Sequence, residues 1–370
     1  MIVNQQAYRT IWPNVQAQFV EIIDQTKLPF TFEIARISTL PQMIVAIKTM
    51  QVRGAPLIGA AAAYGIAISM VLDTSDDYLH NTATQLIQSR PTAVNLKWAV
   101  QRMLSLLLPL PPTSRLSAAW LEASIICDED VMLNKAIGQH GLGLIITLMQ
   151  TQTCNQTCNQ TKDAQSSKIN ILTHCNAGWL ATVDYGTALA PIYAAHDAGL
   201  AVHVWVDETR PRNQGASLTA WELAQHGVPH TVISDNAGGH LMQHGKVDMV
   251  IVGADRVTST GDVCNKIGTY LKALAAFDNR VPFYAAVPSP TIDWTIQDGI
   301  KNIEIEERSA HEVAFLRGKL TNGEVVEVNI LPESTQVVNP AFDVTPARLV
   351  TGIITEHGVY AAQQLISMPR

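Results

Sequence analysis

Residues 171–182 read ILTHCNAGWLAT. An apolar run ends in His174, Cys175 and Asn176, and small residues then lead into a second apolar stretch. A buried strand giving way to a helix has this pattern, and the thiol sits at the junction. Starting from INILT (169–173), short β-rich runs recur at AVHVWVD (201–207), HTVIS (230–234), VDMVIVG (247–253) and VPFYAAV (281–287). Helix-like segments separate them, at 180–198, 216–227, 237–245 and 267–279. Strands alternating with helices of this length predict a parallel sheet with right-handed crossovers. Their uninterrupted apolar character predicts a sheet covered on both faces. No G-x-G-x-x-G follows the first strand, so the fold brings no nicotinamide site with it.

Upstream the pattern changes. A short strand-like TFEIA (31–35) precedes periodic apolar segments near 40–50, 56–72, 79–89, 93–108 and 114–149, punctuated by prolines. The fold class is therefore α/β, with a mainly helical N-terminal domain at 1–150 and a Rossmann-like domain at 169–370. Between them a polar insertion, 151–168, contains the tandem repeat CNQTCNQT with Cys154 and Cys158. It reads as a solvated insertion, since no other ligand cluster has zinc-site spacing.

Composition limits the function. Of 370 residues, 47% are apolar and 15% charged, and the net charge of −7 argues against nonspecific nucleic-acid binding. The longest apolar run, Pro56–Leu72, is rich in Ala and Gly and reads as a buried helix rather than a membrane span. Five cysteines, an odd number in a large chain without a secretory leader pattern, fit reduced thiols in the cytoplasm.

In an open parallel sheet, ligands bind beyond the carboxyl ends of the strands. Polar and glycine residues collect at those ends: His174–Asn176, DETRPRNQG (207–215), SDNAGGH (234–240), GADRV (253–257) followed by NKIGTY (265–270), and PSPTID (288–293). Cys175 fits a reactive thiol whose pKa a helix N-terminus lowers, and also a small buried filler. Asp255 fits a general acid–base, and equally a helix cap or a partner for Arg256. Asn265 and Lys266 precede a helix whose amides, with the ammonium, suit a phosphate; an ordinary N-cap is the plainer reading. Arg53 with the backbone of Gly54 and Ala55, Arg90, and Arg210, Arg212 and Gln214 offer further donors. Thr219 to Glu222 fits a capping box. His174, His240 and His244 read as hydrogen-bonded structural histidines.

Together, RGAPLIGAAAAYG, RPTAVNL, HCNAGWLAT, ETRPRNQGASLTAWEL, GADRV, NKIGTY and the C-terminal VNPAFDVTPARLVTGIITEHGV closely resemble the methylthioribose-1-phosphate isomerase family. The wider superfamily includes regulatory subunits of a translation-initiation exchange factor and ribose-1,5-bisphosphate isomerases. The resemblance implies aldose–ketose isomerisation of a small sugar phosphate, with no metal or organic cofactor, in a homodimer without nucleic-acid or membrane partners. It implies Asp255 as proton donor and Cys175 as second catalytic residue. Substrate binding then falls to Arg53, Gly54, Ala55, Arg90, Gln214, Asn265 and Lys266. Ala177 and bulky Trp179 stand where the family often has HCNTG followed by a small residue, which predicts altered packing rather than lost activity.

Overall fold

The computed structural model describes residues 1–158 and 168–369. Its first residues are strands, not helix. β1 (Ile2–Val3) pairs with β2 (Gln6–Ala7), and β3 (Ile11–Asn14), β4 (Phe19–Ile23) and β5 (Ile34–Ile37) form an antiparallel sheet. The strand expected at 31–35 is thus displaced toward Ile37. Pro13 is tolerated because β3 lies at the sheet edge and pairs only with β4.

The expected helices follow: α1 (Leu40–Lys48), α2 (Ala55–Ser69), α3 (Asp76–Ser89), α4 (Val94–Leu107) and α5 (Pro112–Cys158). Thr39 and Gln42 close a capping box at the start of α1. α2 is buried along nearly its whole length, and its glycines admit close neighbours. A Cβ on Gly59 would lie 3.0 Å from the Asn95 carbonyl oxygen. No helix among the described residues is long and apolar enough to cross a membrane.

α5 serves two cores. Trp120, Ala123 and Ile126 pack into the N-terminal core, and Ile137 and Ile145 into the core beside the large sheet. The helix runs into the polar insertion as far as Cys158. Residues 159–167 and the side chains of Cys154 and Cys158 lie outside the described residues, so the solvated insertion expected there has no structural account.

Asp130, also on α5, is buried and accepts the Val183 amide at 2.8 Å. Burial pushes its carboxyl from 3.8 to about 7. A carboxyl with a raised folded pKa binds more protons folded than unfolded, so stability falls as pH rises between those two values. Asp130→Asn is expected to remove this part of the slope, raising Tm relative to the parent at pH 8 but not at pH 4; thermal scans at both pH values check it.

The C-terminal part contains β6 (Ile169–Thr173), α6 (Ala190–Asp197), β7 (Val202–Asp207), α7 (Ala220–His226), β8 (His230–Ile233), α8 (Ala237–Gln243) and β9 (Met249–Val252). Next come β10 (Arg256–Thr258), β11 (Val263–Lys266), α9 (Thr269–Asp278), β12 (Phe283–Ala286) and β13 (Ile292–Asp293). A hairpin of β14 (Phe315–Lys319) and β15 (Val325–Asn329) precedes β16 (Phe342–Thr345), β17 (Gly352–Thr355) and β18 (Gly358–Tyr360).

All five expected strands enter one sheet of order β18-β17-β12-β9-β6-β7-β8, parallel except for β18. Chain order runs outward one way through β6, β7 and β8, and the other way through β9, β12 and β17. The direction therefore switches between β6 and β9. Crossovers diverge there, opening a crevice beyond the carboxyl ends of these two strands. A smaller sheet, β13-β10-β11-β16, brings β11 to its rim.

Candidate active site

Cys175 and Asn176 leave β6, and Gly253–Asp255 leave β9, on either side of this crevice. Cys175 has φ +68°, a conformation that costs an L side chain about 1–3 kcal/mol and persists only where neighbours enforce it. Two threonines do so. The Cys175 amide donates to Thr209 Oγ1 at 2.8 Å, and its carbonyl accepts from Thr219 Oγ1 at 2.7 Å.

The helix expected from 180 does not follow directly. A three-residue 3-10 turn, Trp179–Ala181, comes first, and α6 begins only at Ala190. The N-terminus of the helix that follows in sequence therefore does not lie beside the thiol, whose neighbours are the start of α2 and the Lys266 cation. That lysine is buried, desolvation lowers its pKa, and Cys175 and Asp255 both pull it back up. Trp179 is fully buried, donates its amide to Glu222 and packs against Trp221.

The plainer readings of Asp255 fail. A strand, β10, follows it instead of a helix, and Arg256 bonds to the Thr92 carbonyl (2.7 Å) and Asp293 (3.4 Å). The Asp255 amide donates to the Cys264 carbonyl at 2.9 Å, which leaves its side chain at the crevice. Desolvation raises its carboxyl pKa against the pull of Lys266, Arg53 and Arg90.

One pocket is lined by Arg53, Gly54, Ala55, Cys175, Asp255 and Asn265. Asp255 and Ala55 also line an adjoining pocket with Arg90, Ile58, Ile303 and Phe342. Arg53 opens on the other side into a wider cleft with Gln214. Lys266 joins them through its charge, and its ammonium lies 5.0 Å from the Phe342 ring centroid. Arg53, Gly54, Ala55, Cys175, Asp255 and Asn265 thus share one pocket, while Arg90 lines the adjoining one and Gln214 the wider cleft. Buried Arg90 Nε and Gln214 Oε1 lack protein partners, as ligand-facing polar atoms do.

Gly54 caps α2 at φ +97°, and a Cβ there would lie 2.4 Å from the Ala181 carbonyl oxygen. Its freedom lets α2 present its first amides to the pocket. Gly54→Ala is expected to cost at least about 1–3 kcal/mol in strain and to raise KM; unfolding curves and initial rates check both. The start of α9 is different. Asp343 accepts the amides of Gly268 (2.7 Å) and Tyr270 (3.1 Å), and Asn265 and Lys266 lie in β11. Those helix amides are occupied, so Lys266 contributes its ammonium alone.

The other candidates have structural partners. His174 Nδ1 faces Asp207 at 2.7 Å and Nε2 the Ile267 carbonyl at 2.8 Å. With Asp235 these residues could ring a cation, but Lys272 Nζ already lies 3.1 Å from Asp207. His244 bonds to the His240 carbonyl. Arg210 donates to the carbonyls of Pro211 and Val313, and Arg212 pairs with Glu312 at 2.8 Å.

The Thr219–Glu222 capping box is not formed. Thr219 is spent on the Cys175 carbonyl, and Glu222 lies fully buried under the loop that carries Cys175. Burial pushes its carboxyl up to about 7. The sequence marks Asn176 only as a neighbour of the thiol, yet it grips Arg53 at 2.6 Å. Glu306, which holds Arg90 at 3.0 Å, carries no sequence signal because its partner is 216 positions away.

Comparisons with known proteins identify the family. The profile of the initiation factor 2 subunit family matches residues 51–362. Methylthioribose-1-phosphate isomerase of Rhodospirillum rubrum is 62% identical over 354 residues, covering 96% of this chain and 89% of the relative. A crystal structure of 5-methylthioribose 1-phosphate isomerase from Pyrococcus horikoshii OT3 superposes with TM-score 0.78 at 38% identity, covering 97% and 94% of the two chains. Translation initiation factor eIF-2B, subunit delta, from A. fulgidus gives TM-score 0.75, also at 38% identity, covering 96% of each chain. The chain belongs to the initiation factor 2 subunit family and, within it, to the methylthioribose-1-phosphate isomerases.

Proposed function

We propose that the chain converts 5-methylthio-α-D-ribose 1-phosphate to 5-methylthio-D-ribulose 1-phosphate, with Asp255 and Cys175 as its catalytic residues. The observation that carries this reading is the meeting of a protonatable carboxyl and a thiol, from two strand ends, around one buried ammonium.

The substrate's anomeric oxygen carries phosphate, so the ring cannot open to a free aldehyde. Opening needs a proton on the ring oxygen and stabilisation of positive character at C1. Asp255, its pKa raised by burial, delivers that proton. Arg53, Arg90 and Lys266, with Gln214, Asn265 and the amides of Gly54 and Ala55, bind and orient the sugar phosphate. Hydrogen then moves from C2 to C1. In one route the Cys175 thiolate takes the C2 proton, giving an enediol, and the thiol returns a proton to C1. In the other, hydride passes directly from C2 to C1 beside the sulfur; in both, the C2 hydroxyl gives its proton to the Asp255 carboxylate, which completes the ketone and restores the acid. Turnover in D2O distinguishes them: the proton route places deuterium at C1 and the hydride route does not.

Incubating the chain with the aldose phosphate and following ketose formation by NMR tests the function. Preference for ribose 1,5-bisphosphate would instead favour the related bisphosphate isomerisation. Binding without turnover would favour a regulatory subunit, a reading that the likeness to the eIF-2B delta subunit keeps in view. The proposal includes a cytoplasmic homodimer. Free Cys127, Cys175 and Cys264 suit a reducing compartment, and Leu121 and Met132 stay exposed on one face of α5. Sedimentation at twice the chain mass is expected.

A further inference from the structure

We propose that Glu222 is a positioning residue that orients the Asn176 amide and thereby fixes the Arg53 guanidinium at the sugar-phosphate site, a role that rests on the function proposed above. Glu222 accepts four hydrogen bonds. Oε1 takes Asn176 Nδ2 at 2.8 Å and the Leu180 amide at 3.0 Å; Oε2 takes the Trp179 amide at 2.8 Å and the Tyr193 hydroxyl at 2.9 Å. Asn176 is thereby fixed with its NH2 toward the carboxylate and its oxygen toward Arg53. Arg53 Nη1 donates to Asn176 Oδ1 at 2.6 Å and Nη2 to the Asn176 carbonyl at 2.7 Å. Turning the amide over would set NH2 against guanidinium, and the carboxylate forbids it.

The surroundings are built around this carboxylate. A Cβ on Gly178 would lie 1.9 Å from Glu222 Oε2, so the glycine of the HCNAG loop leaves room for the acid. Trp179, Leu180 and Tyr193 enclose it, and a fully buried carboxyl with four hydrogen-bond partners is an expensive way merely to fill a core. The arrangement instead links α7, the catalytic loop and the arginine that precedes α2.

Glu222→Gln keeps the volume but turns an NH2 toward two of the four donors. KM for the aldose phosphate is expected to rise about tenfold or more, with a smaller change in kcat. In an Arg53→Ala background the same substitution should add less than about twofold, because its effect passes through Arg53. Asn176→Asp sets two carboxylates together and should raise KM further. The double variant Asn176→Asp/Glu222→Gln exchanges the two groups, so that a carboxylate on the loop accepts from an amide on α7. It should recover about tenfold over Asn176→Asp alone.

A residue serving packing alone would lower Tm and leave the KM of the folded enzyme unchanged, so thermal scans accompany the kinetics. Parental KM in folded Glu222→Gln, multiplicative effects with Arg53→Ala, or no recovery in the double variant would each overturn the proposal. If the parent chain leaves the aldose phosphate untouched, the functional reading fails instead. Calorimetry with inorganic phosphate then reads the same linkage: Arg53→Ala and Glu222→Gln should weaken binding alike, and parental affinity in Glu222→Gln overturns it.

Discussion

Asp255→Asn is expected to lower kcat about 10³-fold, within the range that a positioned proton donor supplies. An amide matches the carboxyl in shape but has no acidic proton for the ring oxygen. The Asp255 backbone amide, which bonds to the Cys264 carbonyl, is untouched, so circular dichroism and the unfolding transition should survive. The pH profile gives a second reading. An acid works only while protonated, so parental kcat falls as pH rises through the raised Asp255 pKa. Asp255→Asn loses that limb. A variant within tenfold of the parent, with the limb intact, would remove Asp255 from the mechanism.

Cys175→Ser should cost about 10²–10⁴-fold in kcat while leaving KM within a fewfold. The contacts holding residue 175 in its left-handed conformation run through its backbone to Thr209 and Thr219, so serine inherits the geometry. What it loses is the polarisable sulfur beside Lys266. Single-turnover rates across pH, with deuterium analysis at C1, check the role. Near-parental turnover would show that the sulfur is neither base nor guard of a hydride.

The strand ends were legible because buried parallel strands are short apolar runs, and the residues just beyond each run face the crevice. Cys175 and Asp255 stand out in that way, whereas Lys266 lies inside β11, an antiparallel strand of the smaller sheet. The N-terminal sheet does not. FVEII is too short to show a period, and its partners IWPN and IARI are chosen by tertiary pairing. The capping-box reading of Thr219 and Glu222 fails for a similar reason. Local spacing favours a bond three residues away, whereas the folded chain gives Thr219 the Cys175 carbonyl, 44 positions away. Asn176 and Glu222 stand 46 positions apart, and no sequence spacing announces their contact.

Strand β16 carries a consequence for synthesis. It pairs along β11 from Val263–Thr345 to Lys266–Phe342, sets Phe342 under the Lys266 ammonium and brings Asp343 to the start of α9. A chain growing on the ribosome has made both Cys175 and Asp255 long before these residues emerge. The nascent protein therefore holds Cys175 and Asp255 in an unfinished crevice until β16 has emerged and paired with β11.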